Sequence, residues 1–481
     1  MQNRPEQRLQ QALDYQQSGQ VEAAVKIYQS LINEYPKNAS IQNHFGVALF
    51  QSEQNELAIH HIEKAITIAP NYSEAHFNLA VALESTDQVQ SAILSYLTAL
   101  KLNPKLVQAC NNLGIIYYQQ GEFKKSIEMY RQATKVAPDY AFTYNNFGNL
   151  MRVLGDFDMA IDLYQKAINI QPDYADCHYS LGIIHLLLGD LRQGWIGHEW
   201  RNHHRGFCQP LWKGENIGDK RLLVYSEQGL GDTIQFFRFI PILLKKGFRL
   251  IFECQRQLFS VLEPLCRELK LLHIIQRGEP IPEFDLCIPL MSLPYYMGVD
   301  NLDLIPSKVP YIFPTQLSTK IILDSNLYKV GLVWAGNPRH ENNQHRSLDF
   351  EQLAPLLSIK TVEFYSLQVG NKTENGIPQP YRKEITDLGS NLRDFRDTTS
   401  AISQLDLVIS VDTSVAHLAG AMGKKVWTLL PANPDFRWLL GRNDSPWYPT
   451  MRLFRQSKLG EWSKVVSDVV LELRKIAKIS I

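Results

Sequence analysis

The sequence predicts an α-helical solenoid followed by an α/β part made of two parallel-sheet halves, and three observations carry that expectation. Proline recurs at Pro36, Pro70, Pro104, Pro138 and Pro172, each 34 residues after the last. From Arg221 onward short apolar runs alternate with helical stretches, the pattern of a parallel sheet covered by helices. The length of 481 residues exceeds the roughly 250 to 300 residues at which a single core stops growing, so at least two units are expected.

Composition narrows the function classes. The 49 basic and 49 acidic residues cancel, which gives no electrostatic reason to expect nucleic acid or an anionic membrane as partner. The start of the chain lacks the apolar run of a secretory signal, and no stretch approaches the roughly 20 apolar residues of a membrane helix. A cytoplasmic protein without a membrane span is the expectation. Six cysteines (Cys110, Cys177, Cys208, Cys254, Cys266 and Cys287) are scattered without C-x-x-C spacing, which suits reduced, mostly buried thiols rather than a disulfide framework or a zinc site.

The 34-residue step organises the first two hundred residues. Small residues recur at Ala12, Gly46, Ala80, Gly114, Gly148 and Gly182, and again at Ala24, Ala58, Ala92, Ser126 and Ala160, where paired helices must approach closely. Large residues at Tyr28, Ile62, Tyr96, Tyr130 and Tyr164 fill the space between them. Gly19, Gly121, Gly155 and Gly189 sit in the turn column of the hairpins, where a left-handed backbone favours glycine. These columns resemble the tetratricopeptide family over about Pro5 to Arg205, with five full repeats and a partial sixth whose second helix runs through Trp195 to Trp200. Such hairpins stack into a superhelix whose concave groove takes a protein or peptide. One column, His44, Asn78, Asn112, Asn146 and Ser180, offers carboxamides able to grip a peptide backbone, as the asparagine ladder does in protein O-GlcNAc transferases, or else simply packs. The stretch from His198 to His204, with Cys208 nearby, has no standard metal-site spacing and reads as a helix end.

Residues 206–220, with Gln209-Pro-Leu-Trp-Lys-Gly, read as a linker. The first α/β half, 221–314, should hold strands at Leu222 to Ser226, Leu250 to Cys254, His273 to Ile275 and Leu286 to Pro289. Helices are expected at Thr233 to Lys246 and Gln257 to Leu269. The second half, 315–460, restarts at Lys329 and should hold strands there and at Glu363 to Gln368, Leu407 to Val411 and Lys425 to Leu430. Helices fall near Phe350 to Leu357, Ala401 to Leu405 and Ser414 to Met422. A closing helix fills 461–481.

Three stretches carry candidate chemistry. Glu227-Gln-Gly229-Leu-Gly231-Asp232-Thr-Ile-Gln235 joins the first strand to a helix; Ile234 stands where a third glycine would complete a dinucleotide fingerprint, which disfavours nicotinamide or flavin. Asp232 followed by Gln235 also has the form of a capping box. The run Leu407-Val-Ile-Ser-Val-Asp412-Thr413-Ser414-Val-Ala-His417 joins a buried strand to a helix whose free amides suit phosphate, while His417 also suits a place in the core. Trp334-Ala-Gly336-Asn337-Pro-Arg339, continuing to Arg346, follows another strand, and its arginine forks suit a diphosphate. A fourth run, Pro431 to Trp438 with Ser445 to Pro449 behind it, is expected to shape a pocket or simply to pack.

These turns resemble the ADP-heptose lipopolysaccharide heptosyltransferases over roughly Arg221 to Trp462. Gly231-Asp232 with Pro241, and Asp412-Thr413 with His417, match the family's motifs; Ser414 replaces a glycine. The resemblance implies a GT-B pair of Rossmann-like halves, the first holding the acceptor and the second a nucleotide sugar. It implies Asp232 as general base, with Glu227 in reserve, and a donor site drawn from Gly229, Gly231, Gly336, Asn337, Arg339, Arg346, Asp412, Thr413, Ser414 and His417. The implied reaction is inverting and needs neither metal nor cofactor. With the repeats in front, the architecture is similar to protein O-GlcNAc transferases, which implies a polypeptide acceptor. The alternative is a non-catalytic scaffold carrying a degenerate sugar-nucleotide domain.

Overall fold

The computed structural model describes residues 5–201, 205–270, 273–314, 322–338, 343–370 and 376–479. The chain forms two compact units that divide between Cys177 and His178.

The first unit is built of helical hairpins: α1 (Pro5–Gln17) with α2 (Val21–Glu34), α3 (Ala39–Gln51) with α4 (Asn55–Ile68), α5 (Ser73–Ser85) with α6 (Val89–Leu102), α7 (Val107–Gln119) with α8 (Phe123–Val136), and α9 (Ala141–Leu154) with α10 (Phe157–Ile170). Each proline of the 34-residue column stands two residues beyond the end of a second helix, where a missing N–H costs nothing. The small and large columns meet inside the hairpins. A Cβ on Gly114 would lie 2.6 Å from the Tyr130 ring, and one on Gly148 2.7 Å from Tyr164. Tyr28, Tyr96 and Tyr164 are wholly buried, yet their hydroxyls reach Gln16, Glu84 and Asn149 at 3.1, 2.9 and 2.7 Å. Ring burial and a satisfied polar tip are thus combined. Gly19, Gly121 and Gly155 have φ of +77°, +74° and +80°, and Glu53 and Asp87 fill the same turn position with φ of +60° each.

The second unit begins within α11 (Ala175–Leu188), which pairs with α12 (Leu191–His198). A Cβ on Gly182 would lie 2.7 Å from the Gly197 backbone, so these two helices touch main chain to main chain. Two sheets follow. The first holds β1 (Arg221–Tyr225), β2 (Arg249–Cys254), β3 (His273–Gln276) and β4 (Leu286–Pro289) in the order β3-β2-β1-β4. The second holds β5 (Tyr328–Val333), β6 (Val362–Ser366), β7 (Ile385–Asp387), β8 (Leu407–Val411), β9 (Val426–Leu430) and β10 (Met451–Arg455) in the order β10-β9-β8-β5-β6-β7. Among the described residues every pairing of these strands is parallel. Strands β8 and β9 are buried along their whole length, which explains their uninterrupted apolar runs.

The helices of the first half are α13 (Leu230–Phe236), α14 (Ile240–Lys245), α15 (Arg256–Glu268) and α16 (Leu293–Tyr296). Those of the second are α17 (Asn343–Arg346), α18 (Phe350–Leu353), α19 (Phe395–Ser403), α20 (Ser414–Ala421) and α21 (Trp462–Ile479). The single helix expected over Thr233 to Lys246 is in fact α13, a 3-10 turn at Phe237–Phe239 and α14, with Pro241 at the start of the last piece. Part of the expected linker lies along β4: the Trp212 N–H donates to the Cys287 carbonyl at 2.9 Å, and the Cys287 N–H to that of Pro210 at 3.1 Å. Among the described residues no helix is long and apolar enough to cross a membrane.

Candidate functional site

Each sheet reverses its chain order at one place, between β1 and β4 in the first and between β5 and β8 in the second. Open parallel sheets bind ligands beyond the carboxyl ends of their strands at such reversals. The candidate residues fall on these exits. Glu227 to Asp232 follow β1, Gly336 and Asn337 follow β5, and Asp412 to Ser414 follow β8. Arg339 lies outside the described residues, as do His203 and His204.

Asp232 is the third residue of α13 rather than its cap. Its Oδ2 accepts a 2.7 Å hydrogen bond from the Gly229 N–H, while glycine at the cap has no side chain to return one. The capping box expected between Asp232 and Gln235 is therefore not formed, because the helix begins three residues earlier than that spacing assumes. Gln235 is wholly buried, with both amide atoms lacking a hydrogen-bond partner. The other Asp232 oxygen pairs with Arg437 Nη2 of the second half.

Arg437 is the residue that sequence reasoning placed only loosely, in the run from Pro431 to Trp438. It also pairs with Asp435, whose Oδ1 accepts from its Nη1 at 2.6 Å. The guanidinium lies 4.3 Å from the Phe436 ring centroid. Burial opposes its charge, but Asp232 and Asp435 outweigh that and raise its pKa. No local spacing announces this contact, since Asp232 and Arg437 are 205 residues apart.

The second exit is tightly organised around His417. Its ring stacks on Trp438 at 5.1 Å and lies against Gly231, where a Cβ would stand 2.9 Å from His417 Cδ2. Gly231 thus lets the two halves touch. His417 Nδ1 is 3.0 Å from the Tyr448 hydroxyl, and Nε2 is 3.7 Å from Asp412 Oδ1. If the hydroxyl donates to Nδ1, the proton on Nε2 faces the carboxylate. Burial pushes the pKa of Asp412 up, but His417, the neighbouring Trp438 indole and the Arg346 charge together bring it down to about 2. The indole N–H makes no hydrogen bond of full geometry.

Helix α20 begins without a side-chain cap. Thr413 Oγ1 turns to Ser410 Oγ at 2.9 Å instead. Arg346 lies across the exit of β5: a Cβ on Gly336 would fall 2.8 Å from its Nη2, so glycine leaves the guanidinium room to lie against the main chain. Its Nε is buried without a hydrogen-bond partner. Asn337 is exposed beside it.

Glu227 has a different setting. Its Oε1 accepts from Arg201 Nη2 at 2.8 Å and from the Met291 N–H at 3.2 Å, and Oε2 is buried without a partner. Burial raises its pKa against the lowering effect of Arg201. This is the setting of a buried ion pair.

In the repeat unit, the carboxamide column turns partly inward. Asn78 Nδ2 donates to Asn43 Oδ1 at 3.1 Å, Asn146 Nδ2 to Asn111 Oδ1 at 3.3 Å, and Asn112 Nδ2 to the Tyr96 hydroxyl at 2.9 Å. One N–H of each of these three carboxamides is thus engaged in packing the repeats, and the second is left over.

The N-terminal part is an array of tetratricopeptide repeats, an architecture of protein–protein interaction, joined to an α/β part with parallel sheets. Family matches described as TPR or tetratricopeptide repeat cover residues 9–73, 85–121, 107–140 and 148–189. The chain is similar to Protein FlbA of Caulobacter vibrioides, with 25% identity over 339 residues, 60% of this chain and 54% of that protein. It thus spans about half the length of that relative. Among solved structures, MamA is similar at 24% identity and a TM-score of 0.31, over 34% of this chain and 96% of its own. YrrB, described as a TPR protein with an unusual peptide-binding site, is similar at 20% identity and a TM-score of 0.30, over 35% of this chain and 88% of its own.

Proposed function

We propose that the α/β unit is an inverting glycosyltransferase of the GT-B type that takes a sugar from a nucleoside diphosphate, with the repeats recruiting a protein acceptor. The observation that carries this reading is the meeting of Asp232 from one half with Arg437 from the other, beside the uncapped start of α20. A carboxylate then stands on the acceptor side, and cations with free amides stand on the donor side. In this mechanism Asp232 takes the proton of an acceptor hydroxyl, and the hydroxyl oxygen attacks the anomeric carbon. The bond from that carbon to the diphosphate breaks, and the departing group keeps the electron pair. Arg346 and the first amides of α20 meet the charge it carries, the kind of preorganised stabilisation that supplies a large part of catalysis. These cations do the work in place of a metal. The repeats fit recruitment because a stacked array exposes an extended concave surface.

One observation favours a non-catalytic reading: both oxygens of Asp232 are engaged, one by the Gly229 N–H and one by Arg437. In that case the repeats hold a partner and the cleft only senses a nucleotide. Calorimetry with UDP, GDP, CDP and ADP, followed by diphosphate release from the corresponding nucleotide sugars, separates the readings. We expect at least one diphosphate to bind, binding to weaken at least tenfold in Arg346→Met, and Asp232→Asn to bind normally while release is abolished. Binding without any turnover supports the sensor, and the absence of heat with all four overturns both uses of the cleft.

A further inference from the structure

The last hairpin of the array belongs physically to the α/β unit, and Arg201 just beyond it reaches Glu227, which precedes the loop that carries Asp232. Arg201, just beyond α12, is buried to 7% exposure. Its guanidinium donates to Glu199 Oε1 at 2.8 Å, Glu227 Oε1 at 2.8 Å, Ser292 Oγ at 2.7 Å and the His198 carbonyl at 2.9 Å. Ser292 Oγ in turn donates to Glu199 Oε2 at 2.9 Å. Two carboxylates, a hydroxyl and a carbonyl therefore converge on one planar cation, the geometry that an arginine fork fixes and a lysine does not. Glu227 and Ser292 follow β1 and β4, the two strands that flank the reversal in the first sheet.

The same hairpin also packs on an aromatic neighbour of each partner of the Asp232–Arg437 pair. Trp195 of α12 lies edge-on to Phe236 at 6.2 Å and to Phe436 at 6.0 Å. Phe236 ends the helix that carries Asp232, and Phe436 adjoins Arg437. Buried charge networks fix geometry when every member is engaged and loosen sharply when one is lost.

We propose that Arg201 is a positioning residue: through Glu227 it sets the loop from Gln228 to Asp232, and so places the Asp232 carboxylate. The catalytic meaning of that placement rests on the reading of Asp232 as base, whereas the mechanical link does not. The test uses the full chain. Hydrogen exchange is measured in wild type, Arg201→Met, Glu227→Gln and the double variant. In Arg201→Met the amides of residues 228–236 should exchange at least tenfold faster, while those of residues 407–421 change less than twofold. If Arg201 acts through Glu227, the double variant should match Arg201→Met rather than add to it.

With whichever UDP-, GDP-, CDP- or ADP-sugar turns over, Arg201→Met should lower kcat at least tenfold and leave the donor KM within twofold, because the donor is held by the other half. Should Arg201→Met fail to fold, Ser292→Ala removes one arm of the network and should raise exchange in the same segment more weakly. Unchanged exchange at residues 228–236, a uniform rise across the unit, or additive effects would overturn the proposal. Local exchange behaving as expected with no turnover of any donor would leave the link standing and remove the glycosyltransferase reading instead.

Discussion

Asp412 shows how a single side chain reports the state of the cleft. It is a largely buried carboxylate whose pKa is brought down to about 2 by His417, the Trp438 indole and Arg346, against the upward push of burial. The unfolded chain should titrate it near 3.9. Because the folded value is the lower one, the stabilisation is fully present above about pH 4 and is lost as pH falls toward 2. A difference of almost two units corresponds to roughly 2 to 3 kcal/mol. Asp412→Asn should therefore lower stability by about that amount at pH 6, and the gap to wild type should narrow by about 1 kcal/mol at pH 3. Urea unfolding at pH 6, 4 and 3 measures it; a gap independent of pH would mean that the carboxylate is not held ionised by its neighbours.

At the scale of the element, the hairpin turns of the array carry strain that the 34-residue register makes visible. Glu53 and Asp87 adopt φ of +60° at the position that glycine fills in Gly19, Gly121 and Gly155. A left-handed backbone costs an ordinary residue about 1 to 2 kcal/mol, part of which glycine gives back through its freedom when unfolded. Glu53→Gly should raise stability by about 1 kcal/mol, and Asp87→Gly by somewhat less because aspartate tolerates this region better. Thermal unfolding would show each as a rise in Tm, and a fall in either would refute the strain. The turns were legible because a repeat supplies its own alignment: column against column, the exceptions stand out. Central strands were legible for a related reason, since burial on both faces of β8 and β9 forces continuous apolar runs. Two strands at sheet edges went unread. β7 spans only three residues, and Arg452 and Arg455 interrupt the apolar residues of β10, because an edge strand buries less and so carries a weaker pattern.

For the molecule as a whole, the candidate site is legible only where its parts are local. The motifs after β1 and β8 are contiguous, so residue order alone announced a strand, a turn and a helix start. The Asp232–Arg437 pair and the Gly231–His417 contact exist only once two halves have closed on each other, and no spacing along the chain encodes that.

What holds the halves together is also non-local. Arg238, on the 3-10 turn after α13, is 3% exposed. It donates to the Trp447 carbonyl at 2.6 Å, the Pro306 carbonyl at 3.1 Å and the Tyr311 hydroxyl at 2.9 Å. Its guanidinium also lies 4.7 Å from the Tyr448 ring and 4.8 Å from that of Tyr311. A buried cation held by carbonyls and aromatic faces, rather than by a carboxylate, binds main chain from both halves, and Tyr448 passes the contact on to His417. Arg238→Met keeps the apolar stem but strands several buried acceptors, at about 1 to 3 kcal/mol each. The loss falls on the interface between the halves rather than on either core, so their cooperativity should suffer first. We expect urea unfolding of Arg238→Met, followed by tryptophan fluorescence, to gain a transition relative to wild type as the halves uncouple. A variant that simply shifts to lower urea with unchanged shape would show instead that Arg238 supports one core and that the halves are joined by other contacts.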